Sequence, residues 1–130
     1  MRHDSSSMRT AASRVRFLGA ARSGTAETWH MRATSVALLP LSIAFVWIVL
    51  SLLGKNYQDV VATLGSPLPA LLILLFVLAS VYHMKIGMQS IIDDYVHEPH
   101  FKDWALLGNL FFSFCIGLAC IYAVLKLSFL

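Results

Sequence analysis

The sequence predicts an all-α integral membrane protein of three transmembrane helices, with the N-terminus cytoplasmic and the C-terminus periplasmic. Three observations predict it. Of its 130 residues 58% are hydrophobic and only 13% charged, where a soluble domain carries about 25% charged residues. The mean hydropathy is +0.71. Three apolar runs, at about 33–53, 68–92 and 104–127, each approach the ~20 residues that cross a hydrocarbon core ~30 Å thick. Finally, the basic residues gather on one side of these runs. Arg2, Arg9, Arg14, Arg16, Arg22, Arg32 and Lys102 flank it, against Lys55 and Lys126 on the other side. Positive flanks stay inside, which sets the orientation. The formal charge of +3 is thus a topology signal and not a nucleic-acid patch.

Residues 1–24 form a basic tail, rich in Ser and Arg and poor in acids, with Met8 as a second candidate start. A mitochondrial transit peptide has the same composition. Residues 25–130 form the membrane domain. Pro40 sits inside the first span and predicts a local kink. Gly54–Ser66 reads as a short polar loop. Ser66 suits a helix N-cap and Pro67 the first position of the second span. Tyr95–Lys102 reads as a polar connection, with Pro99 preventing helix continuation and Asp103 capping the third span. Cys115 and Cys120 point about 140° apart on a helix, which favours neither a disulfide nor a shared metal. His97-Glu98-Pro99-His100 has ligand-type residues, but the intervening proline and the lack of a nearby cysteine favour a solvated loop over a metal site. Asn109, Ser113 and Gly117 recur every four residues and predict a small-residue face toward a partner subunit.

The chemistry concentrates on the second span. An ionisable side chain at membrane depth marks function by default, and His83 lies nine residues before Ile92, roughly 14 Å along the helix. At 100° per residue, Ser80, Gly87, Ser90 and Asp94 share a stripe about 80° wide with His83. Lys85 lies nearly opposite. A stripe of small residues can be a packing seam, and His83 can hydrogen-bond across helices. It can equally ligate haem iron, with Gly87 clearing room for a flat macrocycle. Both readings stay open on these grounds. The other histidines, His3, His30, His97 and His100, fall in the tail or the second loop. If a haem here is held by two histidines, the second at this depth must come from another chain, and three helices are too few to enclose the cofactor.

The segment His83, Gly87, Met88, Asp94 and Tyr95, preceded by Arg32-Ala33-Thr34, resembles the succinate dehydrogenase hydrophobic membrane anchor subunits. Gly19, Gly24, Trp29 and Arg32 resemble their alphaproteobacterial branch. The resemblance covers Gly19 to the C-terminus, with the first and third spans alike only as apolar helices. It implies an anchor subunit without catalysis of its own, packed with a cytochrome b556 partner. The pair would share one haem b, bind ubiquinone, and dock an iron–sulfur subunit and a flavoprotein subunit on the cytoplasmic face. By position, His83 is implied as the axial ligand to haem iron and Gly87 as its clearance. Arg32 is implied near a haem propionate or the docked head. Tyr95 is implied as a donor to ubiquinone, with Asp94 supporting that site. The implied location is the bacterial inner membrane, with the mitochondrial inner membrane as the alternative. The rival readings are a non-redox scaffold or assembly subunit, and a haem-free or fumarate-reducing anchor.

Overall fold

The computed structural model describes residues 23–129. These fold into four helices: α1 (Ser23–Ser51), α2 (Tyr57–Gly65), α3 (Pro67–Tyr95) and α4 (Pro99–Phe129). Three of them, α1 from Ala26, α3 and α4, are long and apolar enough to cross a membrane. The expectation of a basic tail, with Met8 and Gly19, lies outside the described residues except for Ser23 and Gly24, the first positions of α1.

The helices overrun the apolar runs that announced them. α1 continues through Pro40 without interruption. α3 starts as expected, with Ser66 in extended conformation at the N-cap and Pro67 following. The Ser66 hydroxyl, however, donates back to the Thr63 carbonyl in the last turn of α2 at 2.6 Å and makes no side-chain cap on α3. The second connection is much shorter than Tyr95–Lys102. Pro99 opens α4, where its missing N–H is no loss, and the Glu98 carboxylate accepts from the Phe101 amide. Asp103 lies inside the helix and does not cap it.

The expected loop after the first span contains a helix. Asn56 caps α2 by accepting from the Asp59 amide at 2.9 Å, a satisfied first-turn donor of the kind that starts helices. α2 packs against the C-terminal end of α4. A Cβ on Gly65 would sit 2.5 Å from the Leu127 carbonyl oxygen, so the lack of a side chain permits this approach.

α3 is the middle element. It packs on α1 along one side and on α4 along the other, and α1 and α4 do not touch among the described residues. Phe45 of α1 stacks on Phe76 of α3, with centroids 4.6 Å apart and planes at 14°, worth about 0.5–1.5 kcal/mol beyond buried area. On the other side, a Cβ on Gly117 would lie 3.3 Å from Val81 Cγ1. Lipid gives helices no hydrophobic drive to associate, so close van der Waals approach and interhelical hydrogen bonds carry this packing. At most 6% of each apolar window is buried. Exposed aromatics mark both ends: Trp29, Tyr95, Phe101 and Trp104 at one, and Trp47, Tyr57 and Phe129 at the other. Trp29 and Trp47 are separated by about 27 Å of helix rise, close to a bilayer core.

Candidate functional site

His83 sits where α1 and α3 meet. Its Nδ1 lies 2.9 Å from Thr34 Oγ1 across the interface. The Thr34 hydroxyl also lies 2.8 Å from the His30 carbonyl and 3.0 Å from the Met31 carbonyl, one turn back in α1. Among the described residues, no hydrogen bond engages Nε2 of His83. Among the described residues the imidazole is therefore held through one ring nitrogen, Nδ1.

The stripe around it behaves unevenly. A Cβ on Gly87 would meet nothing within 4 Å, so open space lies beside His83 one turn along α3. Ser80 and Ser90 are half-buried, and Ser90 donates to the Ile86 carbonyl at 3.2 Å. Asp94 and Tyr95 lie at the exposed end of α3, Tyr95 with 77% of its surface free. Asp93 beside them pairs with Lys102 of α4 at 2.8 Å. Asp94 has no such cation among the described residues, so it is the free carboxylate of the pair. Tyr95 lies twelve residues beyond His83, about 18 Å along the helix. Arg32 is exposed on α1, with no ion pair among the described residues.

Polar side chains reach closer to His83 than the spacing to Ile92 predicted. Gln89 donates to the Glu27 carboxylate of α1 at 3.0 Å, six residues or about 9 Å above His83. His30 is not in a tail. It belongs to α1, and its ring meets Tyr82 edge-on at 5.9 Å, about 100° around α3 from His83. Thr34, Glu27 and Gln89 carried no role in the sequence reading. Thr34 stands in the sequence as a hydroxyl two positions past Arg32 at the start of an apolar run, which marks the residue but not its partner across the interface. Glu27 could have been noticed as the acid that heads the first span.

Asn109 donates to the Lys85 carbonyl of α3 at 2.9 Å, and Ser113 and Gly117 are buried. The face bearing these three residues packs inward on α3 and not toward a partner subunit. The α3–α4 crease also holds an apolar groove of about 360 Å³ lined by Val81, Lys85, Phe114 and Gly117. Neither His83 nor Gly87 lines it, so it is separate from the histidine stripe. In the second connection, His97 Nδ1 lies 3.1 Å from the Tyr95 carbonyl. Both His97 and His100 are exposed, and no group of three metal-ligand side chains converges among the described residues.

Comparison with known proteins gives two kinds of match. The family model described as succinate dehydrogenase/fumarate reductase transmembrane subunit matches residues 6–117. A succinate dehydrogenase hydrophobic membrane anchor subunit from Paracoccus denitrificans is 32% identical over 111 residues, 85% of each chain. One of the same name from Rickettsia bellii (strain RML369-C) is 26% identical over 106 residues, 82% of this chain and 85% of its own. No solved structure matches. With three membrane-length helices, a histidine stripe on the middle one, and a match spanning most of its length, the chain belongs to the succinate dehydrogenase/fumarate reductase transmembrane subunit family.

Proposed function

We propose that this chain is the membrane anchor of a succinate:ubiquinone oxidoreductase, and that His83 ligates a b-type haem shared with a second anchor subunit. The carrying observation is the imidazole itself. It is fastened to α1 through Nδ1 alone, while Gly87 leaves open space on the same face. Imidazole is a haem-iron ligand, and a ligating histidine commonly binds a fixed partner through its other nitrogen. The donor set therefore fits the group. A bound haem would supply a one-electron store between the soluble subunits and the quinone.

The other roles follow from placement. Arg32 is exposed on α1 at the end that bears Tyr95, where a guanidinium can pair with a haem propionate or with an acidic surface of the docked head. The Tyr95 phenol can donate to a ubiquinone carbonyl without bringing a charge. Asp94, left without the lysine that holds Asp93, can orient that donor. The open arrangement of the helices supports a partner: α1 and α4 are apart, so the faces of α3 beside His83 are not enclosed by this chain. The Arg-rich flank supports an N-terminus in the cytoplasm, with the iron–sulfur and flavoprotein subunits docked on that side and the C-terminus in the periplasm. The bacterial inner membrane is the location this implies.

The family description also covers fumarate reductase, and this supports a fumarate-reducing anchor as the second reading, with a haem-free anchor as its variant. An optical difference spectrum of the purified complex tests for the haem, and its rate of succinate oxidation with ubiquinone against fumarate reduction with a quinol tests the direction. A dithionite-reducible b-type band that succinate also reduces supports the first reading. A complex that oxidises succinate but has no such band contradicts it.

A further inference from the structure

We propose that Thr34 is a positioning residue that fixes His83 in the tautomer with Nδ1 protonated and Nε2 bearing the free electron pair. This rests on the haem-ligand reading of His83 and deepens it by assigning the residue that prepares the ligand.

The assignment follows from counting protons. A threonine hydroxyl has one proton to donate and two lone pairs to offer. Thr34 Oγ1 lies 2.8 Å from the His30 carbonyl and 3.0 Å from the Met31 carbonyl. Both are pure acceptors, so the hydroxyl proton is shared between them. The remaining short contact, 2.9 Å to His83 Nδ1, then has the hydroxyl oxygen as acceptor and Nδ1–H as donor. A neutral imidazole carries one ring proton, which leaves Nε2 as the lone-pair nitrogen.

The opposite arrangement is worse on both sides of the bond. If the hydroxyl donated to Nδ1, it would give up two carbonyl acceptors for one nitrogen. The ring proton would move to Nε2, which has no acceptor among the described residues. An N–H stranded in an apolar layer is costly, whereas a lone pair there costs less and is what a metal ligand must offer. Thr34 is also a stiff post. Helical threonine splits between two side-chain rotamers, because one lets Oγ1 bond the preceding turn, and that is the rotamer seen here. The hydrogen-bond chain His83–Thr34–His30 carbonyl thus ties the ligand's orientation to the backbone of α1.

An acceptor on Nδ1–H makes an imidazole a stronger donor to iron, which favours the ferric state. The test uses the intact complex carrying Thr34→Val, which keeps the shape without the hydroxyl, and Thr34→Ser, which keeps the hydroxyl. Two readouts are taken: haem bound per complex and the haem midpoint potential from redox titration. Thr34→Val should weaken haem retention about 10–100-fold and raise the midpoint potential, while Thr34→Ser keeps both near wild type. Wild-type potential and haem content in Thr34→Val overturn the proposal, as does Thr34→Ser matching the defect of Thr34→Val. Should Thr34→Val fail to assemble, Thr34→Ala decides, because it also removes the hydroxyl: a raised potential supports the hydroxyl role, and a wild-type potential overturns it. A wild-type haem spectrum in His83→Ala instead refutes the haem reading itself, whatever Thr34 does.

Discussion

The Asn109 side chain donates a hydrogen bond to the Lys85 carbonyl, 2.9 Å away, and so joins α4 to the middle of α3. The bond lies two residues from His83 in sequence but on the far side of α3, since Lys85 is about 160° around the helix. The two neighbours of α3 thus grip it through different chemistry. α4 holds the backbone through Asn109, and α1 holds the His83 imidazole through Thr34.

Asn109→Leu should therefore loosen the α3–α4 contact without touching the histidine. Interhelical hydrogen bonds in membranes are worth about 0.6 kcal/mol on average and up to about 1.7. Thermal unfolding in detergent should record a loss in that range, with the haem spectrum unchanged. A spectrum altered as strongly as in Thr34→Val would mean that the two sides of α3 are not independent.

Gly65→Ala should cost more. The new Cβ would stand 2.5 Å from the Leu127 carbonyl oxygen, and backbone cannot swing aside as a flexible side chain does. Overpacking of this kind costs about 1–3 kcal/mol. The damage should be confined to the α2–α4 contact at the end away from Tyr95, read as faster proteolysis or exchange around residues 57–66 and 127–129. Stability equal to wild type would count against the packing of α2 described above.

Tyr95→Phe removes one phenolic donor from a residue that is 77% exposed, so folding should be unaffected. Under the ubiquinone assignment, quinone reduction by the complex should fall about tenfold or more, in line with loss of a positioned donor. Succinate oxidation with an artificial acceptor should persist. Equal loss of both activities would place the defect in the soluble head or its docking.

Arg32→Gln separates the two roles open to that side chain. If it pairs with a propionate, the haem band or potential should shift while the soluble subunits stay bound. If it docks the head, the subunits should wash off at lower salt with the haem unaltered, because exposed charge pairs are screened. A variant indistinguishable from wild type in both assays would leave Arg32 as a topology arginine.

The spans were legible because hydropathy over twenty residues outweighs local detail, and the sense of α3 was legible from Ser66 and Pro67. α2 was hidden by its brevity: nine residues between Gly54 and Ser66 read as polar loop, although Asn56 at the cap was a usable signal. The start of α1 was hidden for a tertiary reason. Ser23–Glu27 has no apolar pattern, and one hydrogen bond that holds this end of α1 to α3 runs from Gln89, more than sixty positions on. The stripe bearing His83 and Gly87 was readable from helical angles alone. Thr34 was not, because a hydroxyl in an apolar helix ordinarily bonds only its own preceding turn, and the α1–α3 register is needed to see what else it touches. The same limit explains Asn109, Ser113 and Gly117: a small-residue face announces close packing but not which helix it packs on.

Whether His83 ligates haem iron is read most directly in the reduced-minus-oxidised spectrum of the purified complex carrying His83→Ala. With His83 as the ligand, the b-type band should disappear or shift, while the soluble subunits still oxidise succinate with an artificial acceptor. A band of wild-type position and intensity would contradict it, and would leave His83 as an interhelical hydrogen-bonding residue.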